Sequence, residues 1–223
     1  MNFLYCFHYF FIYVVRYVFF INFVVPNDNK NRFYMNEVEV RIVGLSDLLK
    51  PSTAHAMILE EVIGTEPKRR LAMIIGDREA TDLRTCMFDC KSPRPLTYDM
   101  VRSLLSEAGV TIVKAVIYDV NGGVFSSYLY CLRPDGSEFK IDSRPTDALS
   151  LSLKIGYPVY VLEDLLEKEK IRIVTPDGSG FSMPLNSVAT DMLKMDLEAA
   201  INNEDYERAA MLRDEISRRA SKA

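Results

Sequence analysis

The sequence predicts an α+β fold, a mixed sheet with packed helices followed by a small antiparallel helical hairpin. Strand-like alternation recurs from residue 38 to residue 174, amphipathic helical stretches interrupt it, and beyond the Pro- and Gly-rich stretch 175–184 the apolar period is helical throughout. Residues 38–43 alternate before Gly44, and 54–62 followed by 71–75 supply two further strands. A helix is expected to begin at Gly76-Asp77 and run to Cys90, burying Ala80, Leu83, Met87 and Cys90. Pro93 and Pro95 interrupt the chain. Thr97 is then placed to cap a helix through Ala108, closed by Gly109 and buried through Val101, Leu104, Leu105 and Ala108. Strands at 111–120 and 124–132 flank Asn121-Gly122-Gly123, a tight-hairpin signal because the central turn positions take positive φ. A strand at 138–141 leads into another helix, and 159–162 and 171–174 complete the sheet material. In the tail, Ser187 is placed to cap a helix with Leu193, Leu197, Ala200 and Ile201 on one stripe, and Ala209, Leu212 and Ile216 form the matching stripe of a second. The pairs Glu204–Arg208, Asp214–Arg218 and Glu215–Arg219 fall at i,i+4 and are expected to face outward. Two such short helices bury little surface alone, so they should dock on the main domain, pair with a second copy or capture a partner helix.

At 223 residues with a formal net charge of −4, the chain is long enough for a substantial core and lacks the basic surplus of a nonspecific nucleic-acid binder. The one compact basic run, Lys68-Arg69-Arg70, is expected in a solvated turn after Gly64 and Pro67. The four Cys form no recognisable disulfide framework; Cys86 and Cys90 read as buried thiols rather than zinc ligands, and a reducing cytoplasm is the expected location. Residues 1–34 stand apart, holding eight of the 12 Phe and five of the 12 Tyr with no Ala, Gly or Glu. They can be read as an extension ahead of a domain that starts at Met35, as a membrane anchor or as a buried strand. Arg16 in the middle of the apolar run weighs against a span, and the absence of a basic start or small-residue cleavage site weighs against a secretory signal. The organisation expected is therefore an N-terminal extension (1–34), a main domain (35–180) and a helical hairpin (187–220), with a membrane partner disfavoured.

The run IDSRPTDALSLSLKIG at 141–156 changes period in its middle and concentrates its charge there. Strand residues end at Ile141, Pro145 favours a junction, and Thr146 is placed to cap a helix carrying Ala148, Leu149, Ser152 and Leu153 until Gly156 stops it. Asp142, Arg144 and Asp147 would then share one polar corner, with Asp147 in the first helical turn where the dipole favours an anion. A structural reading also accounts for these residues, with Asp and Thr as caps and Arg144 paired to a carboxylate.

Several segments together resemble the bifunctional nuclease family: Ile75-Gly76 with Glu79-Ala80, PRPLTYD at 93–99, VIYDVNGGVFSSYL at 116–129, the 141–156 run and PVYV at 158–161. The resemblance implies an α+β domain that associates into homo-oligomers and cleaves DNA and RNA. Many relatives carry PRPLTHD, so Tyr98 stands where the resemblance implies a histidine, and a phenol with a pKa of about 10 is a poor substitute for an imidazole base near pH 7. The only histidines are His8 and His55, and His55 is expected to be a half-exposed strand residue. The tail at 192–216, carried by AINNEDYERAAMLRDEI at 200–216, resembles the UVR motif of excision-repair proteins and implies a protein-binding hairpin. Leu197, Tyr206, Leu212 and Arg213 are its candidate partner-binding residues, although Tyr206 can equally close the hairpin and Arg213 can pair with Glu207 or Asp214.

With that family in view, Asp142, Asp147 and Glu79 are the candidate catalytic carboxylates that would hold Mg²⁺ or Mn²⁺, and Arg144 is the candidate phosphate contact. Asp119 reads as a turn acceptor beside the hairpin. No HExxH, phosphate loop or paired CxxC is present, so the expected nuclease activity rests on the resemblance. The alternative is a noncatalytic regulatory or adaptor protein, whose polar corner joins elements or binds a small anion while the hairpin recruits a protein.

Overall fold

The computed structural model describes residues 36–46, 54–64, 66–88, 92–173 and 181–221. Seven strands, β1 (Glu37–Leu45), β2 (Ala54–Glu61), β3 (Arg70–Gly76), β4 (Thr111–Asn121), β5 (Val124–Leu132), β6 (Glu138–Ser143) and β7 (Val159–Leu162), form one mixed sheet of order β3-β2-β1-β7-β4-β5-β6. Its neighbours run antiparallel except for the parallel pair β4 and β7. A short second sheet pairs β8 (Arg172–Ile173) with β9 (Phe181–Ser182). The helices are α1 (Asp77–Met87), α2 (Thr97–Glu107), α3 (Pro145–Ile155), α4 (Glu163–Glu169), α5 (Thr190–Asn202) and α6 (Tyr206–Ala220). This is the α+β architecture with a terminal helical hairpin that the periodicities predict.

The core lies on the sheet face to which Met57, Leu59, Ile117 and Val161 point, where they meet Leu83 of α1, Leu149 of α3 and Leu166 of α4. Each such side chain, fully buried, contributes roughly 1.5–3 kcal/mol. The turn Gly122-Gly123 joins β4 to β5 with φ of 60° and 84°, as the Asn-Gly-Gly signal requires.

Several local expectations are corrected. The helix after β3 ends at Met87, and the contribution expected of Cys90 lies outside the described residues, as do the expectations for 1–34. Thr97 is the first residue of α2 rather than its cap; Asp99 supplies the cap by accepting from Leu96 N at 3.2 Å, and Leu104 is 66% exposed. In α3 the cap position belongs to Arg144, and Ser150 and Leu151 are buried where Leu153 was expected. The helix starts two residues earlier than expected, at Pro145. The basic run is no solvated turn. Arg69 binds Glu61, Glu163 and Glu167, Arg70 binds Glu60, and Lys68 Nζ donates to Val62 O. Helix α4 went unpredicted.

The hairpin packs Leu193, Ala200, Ala209 and Leu212 between its two helices, and Asn36–Ala223 forms one compact unit. Ser187 sits in a 3₁₀ turn (Leu185–Ser187), not at a helix cap, and its hydroxyl donates 2.5 Å to Oε2 of buried Glu169. Asn186 Nδ2 donates to Glu169 Oε1 at 3.0 Å, and Gly123 N donates to Asn186 O at 2.8 Å. Arg219 closes the seam from α6, donating to Leu185 O at 2.7 Å and Val188 O at 2.8 Å. Its pair with Glu215 is therefore half-buried in this seam instead of facing outward, and Arg218 pairs with Glu215 at i,i+3 rather than with Asp214. Docking on the main domain is thus the outcome for this chain.

Candidate active site

Three helices begin at one place. A cleft of about 500 Å³ is lined by Arg78 and Glu79 from the first turn of α1, Thr97 and Tyr98 from that of α2, and Arg144 and Asp147 at the start of α3. One turn further along the same helices stand Asp82, Val101 and Leu151. Helix N-termini carry partial positive charge, so their convergence favours anionic groups, whether these are side chains or a ligand.

Arg144 ties the helices together. From its extended cap position its Nε donates to Asp147 Oδ2 at 2.9 Å, Nη2 to Asp147 Oδ1 at 3.2 Å, and Nη1 to Glu79 Oε1 at 2.9 Å. The bond to Asp147, with the added field of both carboxylates, holds the Arg144 pKa above its ordinary value. Glu79 folds back over Gly76, where a Cβ would stand 2.6 Å from Glu79 Oε2, so a side chain at 76 would displace that carboxylate. Tyr98 OH donates to Asp147 Oδ1 at 2.8 Å. Burial and then this bond push the phenol further above its ordinary value, so Tyr98 keeps its proton and acts as a donor, never as a base near neutrality. Behind it stands the fully buried Ser150, and burial pushes up the neighbouring Cys86 thiol. Lys154 of α3 pairs with Asp99 of α2 at 3.3 Å, and the Leu96 N–H with this lysine holds the Asp99 carboxyl below its usual range.

Of the predicted site residues, the structure brings together Glu79, Arg144 and Asp147, and it does not bring Asp142 to them. Asp142 pairs with Tyr128 across β5 and β6, while its neighbour Ser143 pairs with Ser127, whose side chain is on the core side. Strand alternation therefore aims Asp142 at the sheet face away from the helices, beside Tyr128 and its stacked partner Tyr118. The corner expected from sequence divides because Asp142 belongs to a period-2 strand and Asp147 to a period-3.6 helix. As a cradle for Mg²⁺ or Mn²⁺, the set Glu79, Asp142 and Asp147 does not fit: its members lie on two faces of the sheet, and Arg144 occupies the two on the helix side. Among the described residues no group of three or more His, Cys, Asp and Glu stands close enough to hold a metal ion.

His55 is buried at 4% exposure rather than half-exposed. Its Nδ1 lies 3.0 Å from Ser46 O and its Nε2 3.2 Å from Asp77 Oδ1, which links β2 to the start of α1 outside the cleft lining. In the hairpin, Leu212 is interior at 1% exposure, Leu197 packs beside it, Tyr206 is 68% exposed, and Arg213 bonds Asp214. The sequence reading passed over Arg78 and Asp82. Their signal was present, since Arg78 and Asp82 lie four residues apart and so share one side of α1.

Two known family models match this chain. The bifunctional nuclease domain model matches residues 57–174, and the UvrB/UvrC motif matches residues 193–218. The chain belongs to the bifunctional nuclease family. It is 32% identical over 141 residues to an uncharacterized protein of Mycobacterium tuberculosis, covering 63% of this chain and 80% of that one. It is 21% identical over 127 residues to bifunctional nuclease 1 of Oryza sativa subsp. japonica and to a bifunctional nuclease of Oryza minuta, covering 56% of this chain and 38% of each. Among the described residues no helix is long and apolar enough to cross a membrane.

Proposed function

We propose that this protein is a nuclease that hydrolyses phosphodiester bonds of DNA and RNA in the cleft between α1, α2 and α3. The observation that carries the reading is the convergence of three helix N-termini on Arg144, Tyr98, Asp147 and Glu79 within a domain of a nuclease family. An incoming phosphate draws a guanidinium edge of Arg144 onto a non-bridging oxygen, and the helix ends offset the charge that builds at phosphorus. Asp147 or Glu79, loosened from that guanidinium, accepts a proton from the attacking water. Tyr98, protonated at neutral pH, gives its proton to the leaving oxygen and regains one from Asp147, to which it is hydrogen-bonded. No metal step is included, because the carboxylates do not assemble around one cation. We place the protein in a reducing cytoplasm, where the buried thiols Cys86 and Cys131 remain free, and assign it a homo-oligomeric state.

A second role is supported by the UvrB/UvrC motif match. The hairpin, fixed on the sheet with Tyr206 outward, recruits a protein partner, and in the noncatalytic version of the protein this adaptor role is the whole function. Initial rates on single-stranded DNA, duplex DNA and RNA, each with Mg²⁺, Mn²⁺ or chelator, test the nuclease reading. Asp147→Asn and Glu79→Gln should each cost on the order of a hundredfold, and Asp142→Asn, on the far face of the sheet, should cost nothing. Wild-type turnover that survives both substitutions, or that disappears as contaminants are removed, overturns the reading in favour of the adaptor. Light scattering of the full chain tests the oligomer.

A further inference from the structure

The charged groups of the cleft fall into two sets. Arg144, Glu79 and Asp147 are bonded to one another, so a ligand must compete for each of them. Among the described residues Arg78 and Asp82 line the same cleft with no ion pair and no side-chain hydrogen bond. They are four residues apart on α1, hence on one face and about 6 Å apart along the helix axis. They carry opposite charges, and the wall that completes their pocket is apolar, made by Val101 and Leu151.

We propose that Arg78 and Asp82 are a nucleotide-recognition pair, which rests on the nucleic-acid reading above and specifies its substrate as an unpaired strand offering an amino-bearing base. The Arg78 guanidinium, free of carboxylates, binds a backbone phosphate. One helical turn away, the Asp82 carboxylate accepts a hydrogen bond from the exocyclic amine of the attached base, while Val101 and Leu151 pack against the ring. Cytosine satisfies this arrangement through its N4 amine. Thymine presents the O4 acceptor at the same position and sets oxygen against carboxylate. A duplex keeps its bases stacked inside the helix, and a cleft of about 500 Å³ has room for a single nucleotide, not for a double helix.

The test is fluorescence anisotropy of end-labelled oligo(dC), oligo(dT) and a blunt duplex with the full chain in chelator, titrated across a salt series. Wild type should bind oligo(dC) about tenfold more tightly than oligo(dT), and both more tightly than the duplex. Arg78→Ala should weaken both single strands about tenfold and reduce the salt slope by about 0.7 for the lost phosphate contact. Asp82→Ala should erase the preference for oligo(dC) and leave oligo(dT) unchanged. Equal binding of the two oligonucleotides, an unchanged slope in Arg78→Ala, a preference for duplex, or no binding at all would each overturn the pair. Turnover measured in the same samples after metal is added separates the two levels. Selective binding without cleavage keeps the recognition pair and removes the nuclease reading, whereas cleavage with unaltered Arg78→Ala binding does the reverse.

Discussion

Replacing Glu169 with Ala should release the helical hairpin while leaving the seven-stranded sheet folded. The Glu169 side chain, in a residue 6% exposed, accepts from Ser187 Oγ at 2.5 Å and from Asn186 Nδ2 at 3.0 Å. A hydrogen bond to a charged partner contributes about 1.5–3 kcal/mol. Two are lost, but Asn186 keeps Val120 O at 3.3 Å and still accepts from Gly123 N, so the net cost at the seam is about 2–4 kcal/mol. Helices of this length are marginal when undocked, so loss of the seam should appear as hairpin opening. At about 1.4 kcal/mol per tenfold, the open population rises roughly 30- to 700-fold. Amide hydrogen exchange, followed by mass spectrometry, should accelerate by that factor through α5 and α6, with β4 and β5 unchanged. A Gly123→Ala companion strikes the same seam from the other side, because its Cβ would stand 2.5 Å from Ala189 N at a φ of 84°. Wild-type exchange in the hairpin of both variants would refute the claim that this seam holds it.

The Glu215 carboxyl is held at about 2 against an ordinary 4.5, by Arg218 first and Arg219 after it, which stabilises the hairpin fully above pH 4.5 and progressively less as pH falls toward 2. Because solvent reaches this rim, the loss is on the order of 1 kcal/mol, and a helical signal in Glu215→Gln with the same acid dependence as wild type would contradict it. Arg69→Ala leaves Glu61, whose side chain is 3% exposed, without its cation; urea unfolding should report about 3–5 kcal/mol of lost stability. Tyr98→His replaces a phenol that stays protonated with a group titrating near 6.5. The rate–pH profile should therefore gain a limb between pH 6 and 7 that wild type lacks, and a profile of unchanged shape would deny residue 98 a part in proton transfer.

Much of the sheet was legible because its signals are local. The Asn-Gly-Gly turn between β4 and β5, the alternation of Phe125, Ser127, Leu129 and Cys131, and the arrest of α3 at Gly156 each depend on residues that lie next to one another in the chain. The failures share a different origin. Ser187 looks like a cap because serine usually caps helices, but here a buried carboxylate 18 residues earlier claims its hydroxyl, and α5 starts at Thr190 instead. Arg69 looks solvated because it follows Gly and Pro, yet its partners Glu163 and Glu167 lie 94 and 98 residues away. Long-range charge pairing leaves no period in a sequence.

The same distinction decides how the cleft should be read. Density of charge along the chain singles out Asp142, Arg144 and Asp147, but a phosphate engages uncommitted charge at lower cost than charge it must first free from other side chains. Arg144 is flanked by two carboxylates at 2.9 Å, an arrangement that fixes the starts of α1 and α3 whether or not substrate ever arrives. Arg78 stands beside this clamp with its charge uncommitted. An arginine that braces two helices and an arginine that waits for an anion can be neighbours in one cleft, so the bracing one makes the geometry and the free one gives the site its affinity. On that division, loss of Arg144 should lower stability together with any activity, and loss of Arg78 should lower binding alone.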